Sequence, residues 1–328
     1  MSHASPDHAP STEAAPTHPA GQRENRVSAP WTGVLIGVLA GLLGLAPWLV
    51  TGARLPLQNL WGQEVLPAEM PVSLLPLSQY ELTTLVALMT VGGAAAGFAL
   101  RFWRPGRGRA GVWSVAAGVL TVQITATVQA FAVLRAGLAP GSASALYFAG
   151  VLAGVCAAVA ASLVALFLLA ARSRARAALG VGLMAVPVVS WAVEWVVNLS
   201  EVGNVSPLGP AVAHWLPAAL VGAALAWCGL RPTGRVLVWV ADLVLLWVVP
   251  ALFTSVNYVF GTRIHLGDLD EMALLARQIL AATLGPDGGA GPSVLLALAI
   301  ALAGTGALEV VRRRRQAGIS ARPLGPLS

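Results

Sequence analysis

The sequence predicts an all-α fold, a polytopic transmembrane helix bundle of about eight spans with both ends on the cytoplasmic side and a short amphipathic outer helix. Three observations predict it. Apolar residues make up 57% of the chain and charged residues only 10%, against roughly 45–50% and about 25% in soluble proteins. Apolar runs of about 20 residues, the length that crosses a hydrocarbon core, recur along most of the chain. Lastly, the arginines fall in clusters that alternate with those runs.

Residues 1–30 are rich in Pro, Ala, Ser and His and have no apolar periodicity, which predicts a disordered cytoplasmic tail. His3, His8 and His18 are read there as solvated side chains rather than metal ligands. The spans are expected at about 31–51, 82–101, 111–135, 145–171, 177–198, 211–230, 235–256 and 292–311. The first has a long polar segment before it and fits a retained anchor better than a cleaved signal. Only Arg172-Ser-Arg-Ala-Arg176 divides the fourth span from the fifth. Three arginines in five residues are costly in hydrocarbon, so the segment is assigned to a tight turn. A basic cytoplasmic tail, 313–328, completes the domain description.

Every one of the 20 basic residues is arginine. On an eight-span count the 16 in Arg23/Arg26, 101–109, 172–176, Arg231/Arg235, 312–315 and Arg322 share one side. Arg54, Arg135, Arg263 and Arg277 take the other. This imbalance fixes the orientation by the positive-inside rule, and it accounts for the net charge of +6 without nucleic acid. An arginine-only, Ala- and Gly-rich chain points to a GC-rich, bacterial genome and hence to a plasma membrane.

The two long loops, 52–81 and 257–291, then lie outside. The first carries Pro56, Pro67, Pro71 and Pro76 among leucines and should lie along the interface or over the bundle. It ends in Ser78-Gln-Tyr-Glu81, a pattern that predicts a capping box opening the second span. The second loop predicts a helix over 268–284, capped by Asp268 and Glu271 and stopped by Gly285 and Pro286. Its apolar face is Leu269, Met272, Ala273, Ala276, Ile279 and Leu280. No internal repeat is visible.

Small residues at four-residue spacing mark helix seams: Gly33, Gly37 and Gly41 in the first span, Gly93 and Gly97 in the second, and Gly150 and Gly154 in the fourth. Such glycines let backbones approach closely. Packing within one chain is the favoured expectation, and a homo-oligomer or membrane-protein partner the lesser one. The third span carries a polar stripe of Ser114, Gly118, Thr121, Thr125 and Gln129, with Gln123 and Thr127 on the opposite face. That pattern suits either a substrate pathway or hydrogen bonds between helices.

Ionisable groups within the spans are candidate functional residues by default. Glu194 lies in a Ser190–Glu194–Asn198 stripe between Trp191 and Trp195, where it either reaches headgroup water at the interface or, at a depth matching His214 on the following span, contacts that histidine, with Arg135 as the competing partner. Asp242 either pairs with Arg235 or Arg231 or binds a proton, with pairing the favoured expectation. Cys156 and Cys228 fall inside apolar runs, where both are expected to be buried. No P-loop, G-x-S-x-G, H-E-x-x-H or C-x-x-C occurs, so the sequence calls for no cofactor and no metal.

Two functions stand nearly level. One is a permease or permease subunit for a small or lipidic solute, with Gln123, Thr125, Gln129, Glu194, His214 and Asp242 along its pathway and Pro47, Pro187, Pro217 and Pro250 breaking helices around a site. The other is a non-catalytic accessory subunit of an envelope complex. A membrane-embedded enzyme ranks below both. The topology predicts that single cysteines at Ser142, Ser206 and Asp287 react with impermeant thiol reagents from outside, whereas those at Gly106 and Ala317 do not. External labelling at Gly106 would invert the orientation.

Overall fold

The structure, a computed structural model, describes residues 30–103, 108–199, 208–261, 269–285 and 288–320. Among them the chain forms nine α-helices, one 3₁₀ turn at Pro67–Glu69 and no strand. The helices are α1 (Pro30–Val50), α2 (Leu82–Phe102), α3 (Arg109–Gly137), α4 (Ser142–Ala170), α5 (Arg174–Leu199), α6 (Leu208–Cys228), α7 (Gly234–Gly261), α8 (Leu269–Leu284) and α9 (Ala290–Ser320). Helix is what a run of apolar residues adopts when water is absent, because it satisfies its own backbone. Seven of the nine are long and apolar enough to cross a membrane, and α6 adds a shorter apolar stretch, Ala213–Cys228. Residues 1–29 and 321–328 of the tails, residues 200–207, Asp268 and Pro286 lie outside the described residues.

Glycine sets the packing of the first half. Gly33, Gly37 and Gly41 of α1 lie on α3, where a side chain at Gly37 would strike the Val115 carbonyl and the backbone of Gly118. Gly44 meets Gly92 of α2, and Gly93 and Gly97 rest on the Ser162 and Leu166 carbonyls of α4. All five of the glycines Gly33, Gly37, Gly41, Gly93 and Gly97 thus pack within the chain. Gly150 and Gly154 differ, since nothing lies within 4 Å of where their side chains would be. Their face of α4 is open, and Cys156 is exposed on that helix too, contrary to the expected burial; only Cys228 is buried.

The segment between α1 and α2 folds over the bundle as a cap, the second of the two expected placements. Leu55, Met70, Leu75 and Leu77 are fully buried in it and pack with Leu85, Leu88 and Leu134 of the bundle. Short backbone pairings hold it, Leu55 N–H to the Pro71 carbonyl at 2.9 Å and Ser73 N–H to the Ala53 carbonyl at 2.7 Å. A second pairing, Gly62 N–H to Gly137 and Ala139 N–H to Leu60, ties it to the end of α3. The expected capping box is not formed. The Ser78 hydroxyl accepts from Tyr80 N–H, and Glu81 caps α2 without a side-chain hydrogen bond.

The arginines do gather at one end of the bundle. Arg101 at the end of α2 donates to the Ala171 carbonyl after α4 at 2.7 Å, and its guanidinium and that of Arg174 both lie over the Trp227 ring of α6. Arg235 of α7 donates to the Cys228 carbonyl. The turn between α4 and α5 is shorter than expected, because α5 already begins at Arg174. Helix α9 continues through Arg312–Arg315 to Ser320 rather than ending in a separate tail. There Glu309 and Arg313 form an exposed i,i+4 pair.

In the second half α6 packs between α5 and α9, and α8 packs against α7. Side chains at Gly222 and Gly304 would meet α9 and α6 respectively, so the same close approach recurs there. The expected helix over 268–284 is present as α8, with Met272, Ile279 and Leu280 half-buried. Pro47, Pro187, Pro217 and Pro250 all sit inside continuous helices, so none breaks its helix. A leucine at Gly37 must push α1 off α3, an overpacking cost of about 1–3 kcal/mol. We predict a lower melting temperature in detergent for Gly37→Leu and an unchanged one for Gly150→Leu.

Candidate functional site

Where α1, α2 and α5 meet, two carboxylates line one cavity of about 240 Å³, walled by Pro47, Trp48, Thr51, Glu81, Thr84, Leu88 and Glu194. Its geometry follows from the packing. Close approach at Gly44 and Gly92 brings the last turn of α1 beside the first turn of α2. The Trp191 indole N–H donates to the Gly44 carbonyl at 2.9 Å and sets the rotation of α5, placing Glu194 one turn further on at the cavity. Trp48 donates to the Ser73 carbonyl at 2.8 Å, so the cap is anchored to the cavity wall itself.

Thr84 stands between the two acids. Its hydroxyl donates to Glu194 Oε1 at 3.1 Å and is also within hydrogen-bonding reach of Glu81. A hydroxyl has a single proton to donate, so one carboxylate always lacks it. Burial holds the Glu81 carboxyl above the usual glutamate range, Thr84 opposes that shift, and repulsion from Glu194 adds to it. Thr51, exposed at the rim, marks the approach from the surface. Below the roughly 300 Å³ at which drug-sized sites begin, the space suits a small solute.

The other sequence candidates are dispersed. Gln129 acts as a clamp, its Oε1 accepting from Leu74 N–H at 2.8 Å and its Nε2 donating to the Val72 carbonyl at 2.9 Å. Gln123 is buried and donates to the Met89 carbonyl and the Ser162 hydroxyl, tying α3 to α2 and α4. Thr125 and Thr121 face outward. The stripe on α3 therefore brings no shared polar pathway together. His214 is exposed, with its ring edge-on to Trp215. No hydrogen bond or ion pair joins it or Arg135 to Glu194, whose observed partner is Thr84. The expected contact fails because the Trp191–Gly44 bond turns Glu194 towards α2 instead of α6. Asp242 is buried against Gly182 without an arginine partner, since Arg235 is engaged by the Cys228 carbonyl. Among the described residues no three potential metal ligands cluster.

Sequence reasoning found Glu194 and placed Pro47 at a site, but missed Glu81, Thr84 and Trp48. Glu81 was hidden by its resemblance to a capping-box residue; the only signal was an acid at a helix start beside a proline-rich apolar loop. Fold and site together define an all-helical bundle consistent with an integral membrane protein and holding an acidic cavity at one end. Comparison with protein-family models, curated proteins and solved structures gave no match.

The electrostatics set a sign. A carboxyl whose folded value is raised favours the folded state while protonated, and that contribution is lost as pH rises through the folded value. Glu81→Gln should therefore melt higher than the wild type at neutral and alkaline pH. The gap should close towards about pH 4, where an ordinary glutamate is half protonated. Paired melting curves across pH read this directly, and a variant less stable at neutral pH would contradict it.

Proposed function

We propose that the protein is a permease-like membrane protein that crosses the plasma membrane eight times, with both termini cytoplasmic, and takes a small cationic or amine-bearing solute at the Glu81–Glu194 cavity. The observation that carries the proposal is the meeting of two carboxylates with one shared hydroxyl proton in a cavity of solute size. A bound cation relieves their repulsion and supplies the donors that Thr84 cannot provide to both. Pro47 forms part of the wall and removes the N–H that would bond the Leu43 carbonyl, so α1 is softened where a solute would enter. The clustering of Arg101, Arg174 and Arg235 at one end supports the assigned orientation.

An accessory role in an envelope complex keeps one specific observation in its favour, the open small-residue face of α4 around Gly150 and Gly154. Purification from native membrane separates the two, because a stable stoichiometric partner favours assembly.

For binding, the purified protein is titrated with methylammonium and with neutral methanol while its melting temperature is followed. Methylammonium should raise the melting temperature of the wild type and leave Glu81→Gln/Glu194→Gln unchanged, whereas methanol should do nothing to either. Equal stabilisation by the neutral probe, or retention in the double variant, would defeat the cation site.

A further inference from the structure

Helix α7 presents a carboxylate to α5 at Gly182, where α5 has no side chain. Asp242 is 0% exposed, and a side chain at Gly182 would run into its carboxylate. Among the described residues no donor reaches either oxygen. Trp239, one turn earlier on the same face of α7, has a buried indole N–H that likewise meets no acceptor.

The walls are apolar. Trp239 and Leu246 pack with Ala185, Ala218, Val221, Leu225, Ala297 and Ala301, and Val238 packs with Ala178, Val181 and Cys228. The titratable and charged groups nearby are few. Helix α6 offers the Cys228 thiol, which senses both Asp242 and Arg235. Arg235, seven residues back and about 10 Å along α7, bonds the Cys228 carbonyl. Arg174 of α5 lies over Trp227. The faces that α5 and α9 turn to this cluster, Ala178, Val181, Gly182 and Ala185 on one and Ala297 and Ala301 on the other, carry no ionisable group.

An ionised carboxylate with neither counter-charge nor donor is among the costliest things an apolar interior can hold, and such a group neutralises instead. We propose that Asp242 is a proton-binding site, neutral while α5 and α7 are packed together, that releases its proton to water when they part. In that step the O–H bond of the carboxyl breaks, water takes the proton as hydronium, and the carboxylate left behind gains the Trp239 N–H side of the site for hydration. Helix α5 is one backbone hydrogen bond short at this level. Pro187 lacks the N–H that would bond the Leu183 carbonyl, the residue next to Gly182. The site stands apart from the Glu81–Glu194 cavity and does not depend on what that cavity binds.

Infrared spectroscopy of the full-length protein in lipid vesicles, in water and in heavy water, tests this. The wild type at neutral pH should show the carbonyl stretch of a buried protonated carboxylic acid, shifting on deuteration and vanishing in a one-proton titration as pH rises. The band should be absent from Asp242→Asn and retained in Glu81→Gln/Glu194→Gln. Asp242→Asn, which mimics the neutral acid, should melt no lower than the wild type. Asp242→Glu gives a second readout, with the band kept but displaced. Identical spectra for the wild type and Asp242→Asn, or a lower melting temperature for Asp242→Asn, would overturn the proposal.

Discussion

A polar group inside an apolar bundle must find its partner within the protein, because neither lipid nor a packed core offers one, and most of this structure is the working out of that constraint. Gln129 satisfies two backbone groups of the cap that would otherwise be stranded. Gln123 joins three helices through two donated bonds, although its buried Oε1 meets no donor among the described residues. Ser and Thr hydroxyls along the helices return to carbonyls of the preceding turn, as Thr121 does to Ala117 and Thr254 to Pro250. A residue whose polar atoms are all accounted for in this way is holding the fold together. Asp242, with both carboxylate oxygens left over among the described residues, invites a second explanation.

Close glycine contacts make those bonds available. The α1–α2 contact at Gly44 and Gly92 brings backbones near enough for a side chain from a third helix to reach a carbonyl, as Trp191 does at Gly44. That bond fixes the rotation of α5, and the rotation carries Glu194 to Thr84 and Glu81 on one level and Gly182 to Asp242 on another. The acidic cavity and the buried aspartate are thus two consequences of how one helix is turned.

The sequence showed the helices clearly, because length and apolarity alone determine where a chain adopts helix in lipid, and every expected span has a helix over it. It also showed the arginine end, since a charge excluded from hydrocarbon gathers beyond the ends of the apolar runs even where the helix continues. The cap over 52–81 was not legible: its pairings join Leu60 to Ala139 and Leu74 to Gln129, and no local pattern announces contacts so distant along the chain. Helix rotation was equally hidden. In spans apolar all round, the hydrophobic stripe that usually reveals the inward face is absent. That is why Glu194 was matched to His214 by depth and Asp242 to Arg235 by spacing, and why both matches failed. Gly182 was the missed signal, a glycine at the level of a lone acid on a neighbouring helix.

The central claim is that Glu81 and Glu194, far apart in sequence, share one cavity and one hydroxyl. A double-mutant cycle measures it most directly, with unfolding free energies in mixed micelles for the wild type, Glu81→Gln, Glu194→Gln and the double variant. Groups in contact or sharing a partner couple by about 0.5–3 kcal/mol, and the account predicts a coupling in that range, the second substitution stabilising less than the first. Effects that simply add would show that the two carboxylates do not meet.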